Sequence, residues 1–260
     1  MYIVILKNLN RIEFVVTLAC TGRCRHCSQG EHGNVGRRLD ADAAALAVRR
    51  IAENYRIESV MTFGGEPLLY PEVVCSIHAA AGKMQIPKRQ LITNGYFSRE
   101  TGKIEAVAAA LSESGVNNIL LSVDAFHQES IPLEYVKHFA GAVKDTGCRL
   151  RTQPAWLVSR EGDNPYNRRT REILEEFAAM GIEENDGNVI FPEGNALKYL
   201  KEYFEPGREI RNPYEDDPED VRAVSIGPDG SALGGNLYER DICDILASYT
   251  PMNKIDGCLY

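Results

Sequence analysis

What the sequence is short of narrows the field first. No apolar run approaches the ~18–20 residues that a bilayer-spanning helix requires. The opening stretch, Met1 to Leu6, is too short for a secretory signal and has no basic flank. A cytoplasmic protein that crosses no membrane is therefore the expectation. Positive charge is scarce as well: 29 Lys and Arg face 37 Asp and Glu, a formal net charge of -8. Nucleic-acid binders favour basic surfaces, so wholesale nucleic-acid binding is not expected. The paired cations Arg37-Arg38, Arg49-Arg50 and Arg168-Arg169 read as solvated faces. No internal repeat stands out beyond an alternation of strand-like and helix-like segments.

What is present is enough for one substantial core: 260 residues, 44% of them hydrophobic. β-Branched and aromatic runs predict strands at Ile12 to Leu18, Ser59 to Phe63, Gln90 to Thr93, Asn118 to Val123, within Cys148 to Leu157, and at Asn188 to Phe191. Apolar residues at helical spacing follow each one, as in Leu46, Ala47, Ile51 and Tyr55, or Ile104, Val107, Ala108 and Leu111. Asp40, Asp42 and Pro71 are helix-start signals, and Gly147 and Gly181 are stops. Six β–α units in order predict a parallel sheet covered by helices. The pattern leaves open a doubly wound sheet or a partial barrel. Residues 1–204 form the core on this reading. Residues 205–220, rich in Pro, Gly and acid, form a connector. Residues 221–260 form a small appendage: a hairpin from Val221 to about Leu233 and a last helix over Ile242 to Tyr249.

The chemistry concentrates at the strand ends. Cys20, Cys24 and Cys27 follow the first strand at C-x₃-C-x₂-C spacing, and Gly30, Gly33 and Gly36 suit a loop that wraps a ligand. In a reducing compartment, clustered cysteines point to metal or redox chemistry rather than disulfides. Three thiolates on one loop can hold an iron–sulfur cluster with one iron left open. They can equally form a zinc site completed by His26 or His32, or a redox pair with a spare. The second strand ends in Gly64-Gly65-Glu66-Pro67, read alone as a tight turn or as backbone that approaches a ligand closely. Thr93-Asn94-Gly95 closes strand three, Ser122-Val123-Asp124 strand four, and Gln153-Pro154 falls near the end of strand five. In parallel α/β folds that edge carries the active site. Tyr96 and His127 are substrate-side candidates or plain loop residues. Cys75 reads as a buried helix residue, and Cys148 sits at the remote end of its strand.

Together, the Cys triad and the Gly-Gly-Glu-Pro stretch some forty residues later resemble the signature of the radical S-adenosylmethionine superfamily. The resemblance covers roughly Ile12 to Leu200. It implies a partial (β/α)6 barrel with a small C-terminal appendage. It implies one [4Fe–4S] cluster on Cys20, Cys24 and Cys27, reduced by a donor such as flavodoxin or ferredoxin. It implies reductive cleavage of S-adenosylmethionine to a 5′-deoxyadenosyl radical, which takes hydrogen from a substrate. It places Gly64, Gly65, Glu66 and Pro67 around the methionine amino group and His26 near adenine. Ser122 and Asp124 would meet ribose or methionine, Arg151 or Gln153 the methionine carboxylate, and the strand around Phe191 the adenine, with Asn94 facing the cofactor. Gly-Gly-Glu-Pro-Leu-Leu-Tyr-Pro looks closest to members that modify peptides or cofactors, so a peptide or cofactor precursor is the expected substrate. A glycyl-radical activase and a non-catalytic zinc or iron–sulfur module are the alternatives. The tail resembles an eroded form of the extension that holds auxiliary clusters in peptide-modifying members. With only Cys243 and Cys258 it has too few thiols for a second cluster.

Overall fold

The computed structural model describes residues 6–30, 36–204 and 216–251. His32, Gly33, the connector residues 205–215 and Cys258 lie outside them. Strand β1 (Arg11–Val15) leads into the cysteine loop and then into helix α1 (Ala41–Asn54). The order continues β2 (Ser59–Phe63), α2 (Pro71–Lys83), β3 (Lys88–Thr93), α3 (Thr101–Glu113) and β4 (Asn118–Leu121). Next come α4 (Ala125–Gln128), α5 (Leu133–Asp145), β5 (Arg149–Thr152), β6 (Ala155–Trp156), α6 (Pro165–Ala179), β7 (Glu183–Glu184), β8 (Asn188–Val189) and α7 (Asn195–Tyr199). The appendage supplies β9 (Ala223–Ile226), β10 (Ser231–Ala232), β11 (Gly235–Asn236) and α8 (Ile242–Ala247).

Seven strands form one sheet in the order β7-β5-β4-β3-β2-β1-β9, every pair parallel. Consecutive strands from β1 to β5 are neighbours, as right-handed β–α crossovers produce. The sheet does not close: β7 and β9 are its edges. It is the expected partial barrel. The helices form for legible reasons. Asp40 caps α1 by accepting from the Ala43 N–H at 2.9 Å, and Ala44, Val48 and Ile51 face the core. Proline opens α2, where its missing N–H costs nothing. Phe14, Ile51, Ile77, Leu91, Ile104 and Phe139 are fully buried in the main core between sheet and helices.

Two expectations are corrected. The sixth sheet position is taken by Glu183–Glu184, not by Asn188 to Phe191. Asn188–Val189 pairs instead with Ala155–Trp156 in a separate two-stranded ribbon. Pro154 cannot donate to a ladder, and Gly187 turns the facing strand at φ +77°, so both strands bend at one level. The Glu-Glu segment carries no apolar signature, whereas Val-Ile-Phe does, and the sequence pattern followed the latter. The second correction concerns Val221 to Ile226. Expected as one arm of a hairpin, it supplies β9, which extends the sheet in parallel beside β1. Val224 and Ile226 are fully buried there, covering an edge that would otherwise be open. The hairpin is the shorter β10–β11 pair.

The glycines after β2 are required by the fold itself. Gly65 N–H donates to Thr17 O at 2.8 Å and Glu66 N–H to Ala19 O at 2.7 Å, so the two chains stay paired past the strands. A Cβ on Gly65 would lie 2.2 Å from Ala19 O, and one on Gly64 2.3 Å from Thr17 O. Gly65→Ala should therefore destabilise the protein by about 1–3 kcal/mol, measured by urea unfolding of the cluster-free chain. Unchanged stability would mean that the close approach is not needed.

Candidate active site

The strand ends enclose a cavity of about 290 Å³, lined among others by Cys20, Cys24, His26, Cys27, Gly64, Gly65, Asn94, Ser122, Gln153 and Phe191. The three thiols lie together. A methyl group placed on Gly22 would be 3.3 Å from Cys24 Sγ and 3.7 Å from Cys20 Sγ, and Cys27 N–H donates to Cys24 O at 3.3 Å. The loop is held from the opposite side as well. Asn195 at the start of α7 donates its N–H to Cys27 O at 2.9 Å and its amide Nδ2 to Cys24 O at 3.1 Å. Gly194 makes that approach possible at φ +52°: a Cβ there would sit 2.5 Å from Cys27 O. Asn195 was not among the sequence candidates. Its only signal is its place after Pro-Glu-Gly at a strand end.

Burial dominates the thiol chemistry. It pushes the Cys20 pKa up to about 11 and raises Cys24 and Cys27 as well. Asp124, Glu129 and the other two thiols add to the effect at Cys24. Such thiols become thiolates when a metal centre supplies the compensating charge. That is the behaviour a cluster-binding triad needs, so the donor set fits an iron–sulfur centre. Asn94 borders it, with Nδ2 3.6 Å from Cys20 Sγ and Oδ1 accepting from Tyr96 N–H at 2.8 Å.

Other expected ligand groups are engaged by the protein instead. The Glu66 carboxylate is fully buried and does not line the cavity. Its Oε1 accepts from Leu68 N–H at 2.9 Å and from the Thr93 hydroxyl at 2.7 Å, and its Oε2 from Asn94 N–H at 2.8 Å. It ties the end of β2 to the end of β3. Pro67 is buried beside it. Asp124 is likewise fully buried. Oδ1 accepts from the N–H groups of Phe126 and His127 at 2.9 Å, while Oδ2 meets Ala155 N–H at 3.0 Å and His127 Nδ1 at 2.8 Å. Both its oxygens are engaged within the protein, where it supports His127, and it does not line the cavity. Burial works to raise its pKa, but His127, the hydrogen bonds and His26 outweigh burial and hold the carboxyl well below the usual range. Arg151, preferred over Gln153 on charge, does not line the cavity; its guanidinium donates to Asn185 Oδ1 at 2.9 Å. Gln153 lines the cavity and is bound by the Asn185 amide.

His26 stacks obliquely on Phe126 and meets His127 edge-on, with ring centroids 5.1 and 4.8 Å apart. Burial lowers its pKa to about 4, so the ring is neutral at ordinary pH. His127 lines the cavity; Tyr96 stands outside it and stacks on Tyr135. Cys75, on α2, has its thiol 3.6 Å from Ala110 O, and Cys243, on α8, packs against Arg50 O of α1. Among the described residues no helix is long and apolar enough to cross a membrane.

Three thiols at the carboxyl edge of an open parallel sheet, facing a glycine-bordered hollow, define an α/β protein with a ligand cavity whose donor set fits a metal centre. Residues 14–146, about half of the chain, match the family described as the Radical SAM superfamily, and the chain belongs to it. The family is one of S-adenosylmethionine-dependent enzymes. A GTP 3',8-cyclase of Moorella thermoacetica is 28% identical over 129 residues, covering 47% of this chain and 37% of the relative. One of Alkaliphilus metalliredigens is 24% identical over 255 residues, covering 96% of this chain and 65% of the relative. The matches thus span less than two thirds of either relative. Among solved structures, native anSMEcpe with bound AdoMet superposes with a TM-score of 0.59 at 14% identity, over 94% of this chain and 81% of that one. Streptococcus suis SuiB bound to the precursor peptide SuiA gives 0.58 at 14% identity, over 93% and 65%. These two likenesses establish the fold.

The Glu66 geometry yields a test. Burial raises its pKa from 4.5 to about 7 against three hydrogen bonds that lower it. The folded state thus binds the proton more tightly. The group's contribution to stability is full below pH 4.5, declines as pH rises, and is lost above about 7. Glu66→Gln should flatten that slope. It should also destabilise the ionised-range protein by about 1–3 kcal/mol, because an amide NH₂ then faces a donor. Urea unfolding of the cluster-free protein across pH measures both. Unchanged stability with weakened S-adenosylmethionine binding would make Glu66 a ligand rather than a tie.

Proposed function

We propose that Cys20, Cys24 and Cys27 hold one [4Fe–4S] cluster, and that the enzyme acts on a peptide or cofactor precursor. The observation that carries this reading is the convergence of three thiols, Cys24 buried and Cys20 and Cys27 partly so, on a cavity bordered by Gly64, Gly65 and Asn94. When bound, the reduced cluster supplies the electron that splits S-adenosylmethionine into methionine and a 5′-deoxyadenosyl radical, which takes a hydrogen atom from substrate. The chain's own residues do the rest. The backbone of Gly64 and Gly65 meets the methionine amino group. Ser122 and Gln153 offer polar contacts from the ends of β4 and β5. The His26 backbone and the segment at Phe191 border the adenine. The sheet ends and helices wall the hollow on several sides, which limits the solvent that could quench a radical. An external protein such as flavodoxin or ferredoxin delivers the electron.

Two lines support the substrate class. The relatives named above are GTP 3',8-cyclases, which favours a small molecule such as a nucleotide. The structural neighbours include enzymes bound to peptides, which favours a peptide. Membership in the Radical SAM superfamily favours catalysis over a non-catalytic zinc or iron–sulfur module.

Anaerobic reconstitution should give about four irons and four sulfides per chain. Replacing Cys20, Cys24 and Cys27 together by Ala should remove them. Reduced wild-type enzyme should release 5′-deoxyadenosine slowly without substrate, and Cys243→Ala with Cys258→Ala should retain both properties. A cluster that survives the triple change, or a reduced cluster that never cleaves the cofactor, would contradict the assignment.

A further inference from the structure

One side-chain cluster shares only Cys24 with the cluster assignment. Cys24, His26 and His127 each offer a ligand atom, and these atoms all lie within 4.8 Å of one another. All three residues line the cavity, so an ion has an entry path. Donors around one tetrahedral zinc stand roughly 3.5 Å apart, given Zn–S of about 2.3 Å and Zn–N of about 2.0–2.1 Å. Rotation of the Cys24 and His26 side chains toward His127 would close the remaining gap. His127 is already prepared for such a role. Its Nδ1 is held at 2.8 Å by the Asp124 carboxylate, so Nδ1 carries the proton and Nε2 is left as the ligand atom. A carboxylate behind a histidine is the usual support of a metal-binding imidazole. Asp124 is itself immobilised by three backbone N–H groups, so the ring's direction is fixed. His26 supplies the independent sign: its Nδ1 is buried and has no hydrogen-bond partner. A buried polar atom without a partner is costly, and an ion bound at that nitrogen would relieve it.

We propose that Cys24, His26 and His127 bind one divalent ion of zinc character when the iron–sulfur cluster is absent, and that ion and cluster exclude each other through Cys24. One thiolate and two neutral imidazoles suit zinc, with the fourth position left to water or to a cavity ligand. The ion site stands on the geometry alone. The exclusion rests on the assignment of Cys24 to the cluster. Zinc would thus hold the loop in a folded, cluster-free form that chelation releases for assembly.

The test uses the full chain, reduced and stripped of metal by a chelator, with Co²⁺ as the spectroscopic probe. Wild type should take up one equivalent, show thiolate-to-cobalt charge transfer with tetrahedral d–d bands, and lose both to Zn²⁺. Cys20→Ala with Cys27→Ala should still bind. Cys24→Ala should lose the charge-transfer band. His26→Ala, His127→Ala and His127→Gln should each weaken binding about tenfold or more, and Asp124→Asn by about tenfold through His127. The double cysteine variant keeps the test open should a histidine variant fail to fold. If the histidine variants bind like wild type while the double cysteine variant does not, the ion sits on the three thiols and the proposal fails. Absence of stoichiometric cobalt binding also overturns it. For the exclusion, protein preloaded with Zn²⁺ should accept iron and sulfide only after chelation. A chain that retains zinc and gains a full cluster refutes it. Iron and sulfide uptake by the zinc-free protein reports separately on the cluster assignment.

Discussion

Four backbone carbonyls hold the cysteine loop in place. Thr17 O and Ala19 O accept from Gly65 and Glu66 on one side, while Cys24 O and Cys27 O accept from Asn195 on the other. A loop that turns three thiols toward a cavity has few side chains left to anchor it, so its main chain must do so. That requirement explains the composition nearby. Glycine at 64, 65 and 194 is demanded by backbone that passes within 2.2 to 2.5 Å of where a Cβ would stand. The glycines that border the cavity are thus first a feature of packing, and the ligand-facing backbone follows from it.

A second layer fixes the electrostatics. Glu66 and Asp124 are both fully buried, and each spends its oxygens on N–H or O–H groups at neighbouring strand ends. Glu66 joins β2 to β3, and Asp124 joins the turn after β4 to β6. Removing either would leave several donors unsatisfied in a low-dielectric region, a larger penalty than the loss of one contact. These two carboxylates therefore set the shape of the cavity rim without facing it. They leave the ligand surface to backbone, amides and aromatic rings.

Much of this was readable from residues in order. The C-x₃-C-x₂-C spacing, Gly-Gly-Glu-Pro and the alternation of β-branched runs with helical spacing locate the first five sheet strands and the thiols. The signal ran out where main chain, not side chain, decides. Glu183–Glu184 joins the sheet without an apolar residue of its own, because pairing to β5 is a backbone event. Charge alone favoured Arg151 over Gln153, but the Asn185 and Asn118 amides draw that guanidinium aside, which no spacing reveals. Asp124 looked like a ligand because it is polar and at a strand end. Its actual partners include Ala155, thirty-one residues on. His127 reads in the sequence as a substrate-side candidate or a plain loop residue; its link to a buried carboxylate depends on the short helix α4, too short to leave a periodic pattern.

The central claim is that three thiols, and only three, hold the cluster, so that one iron is open to the cofactor. Electron-nuclear double resonance on the reduced, reconstituted enzyme tests it most directly, using S-adenosylmethionine labelled with ¹⁵N at its amino group. The account predicts that adding the cofactor changes the cluster's EPR signal and that a ¹⁵N hyperfine coupling appears. A signal that ignores the cofactor, with no nitrogen coupling, would mean that the fourth iron is closed by a protein ligand, and would contradict the account.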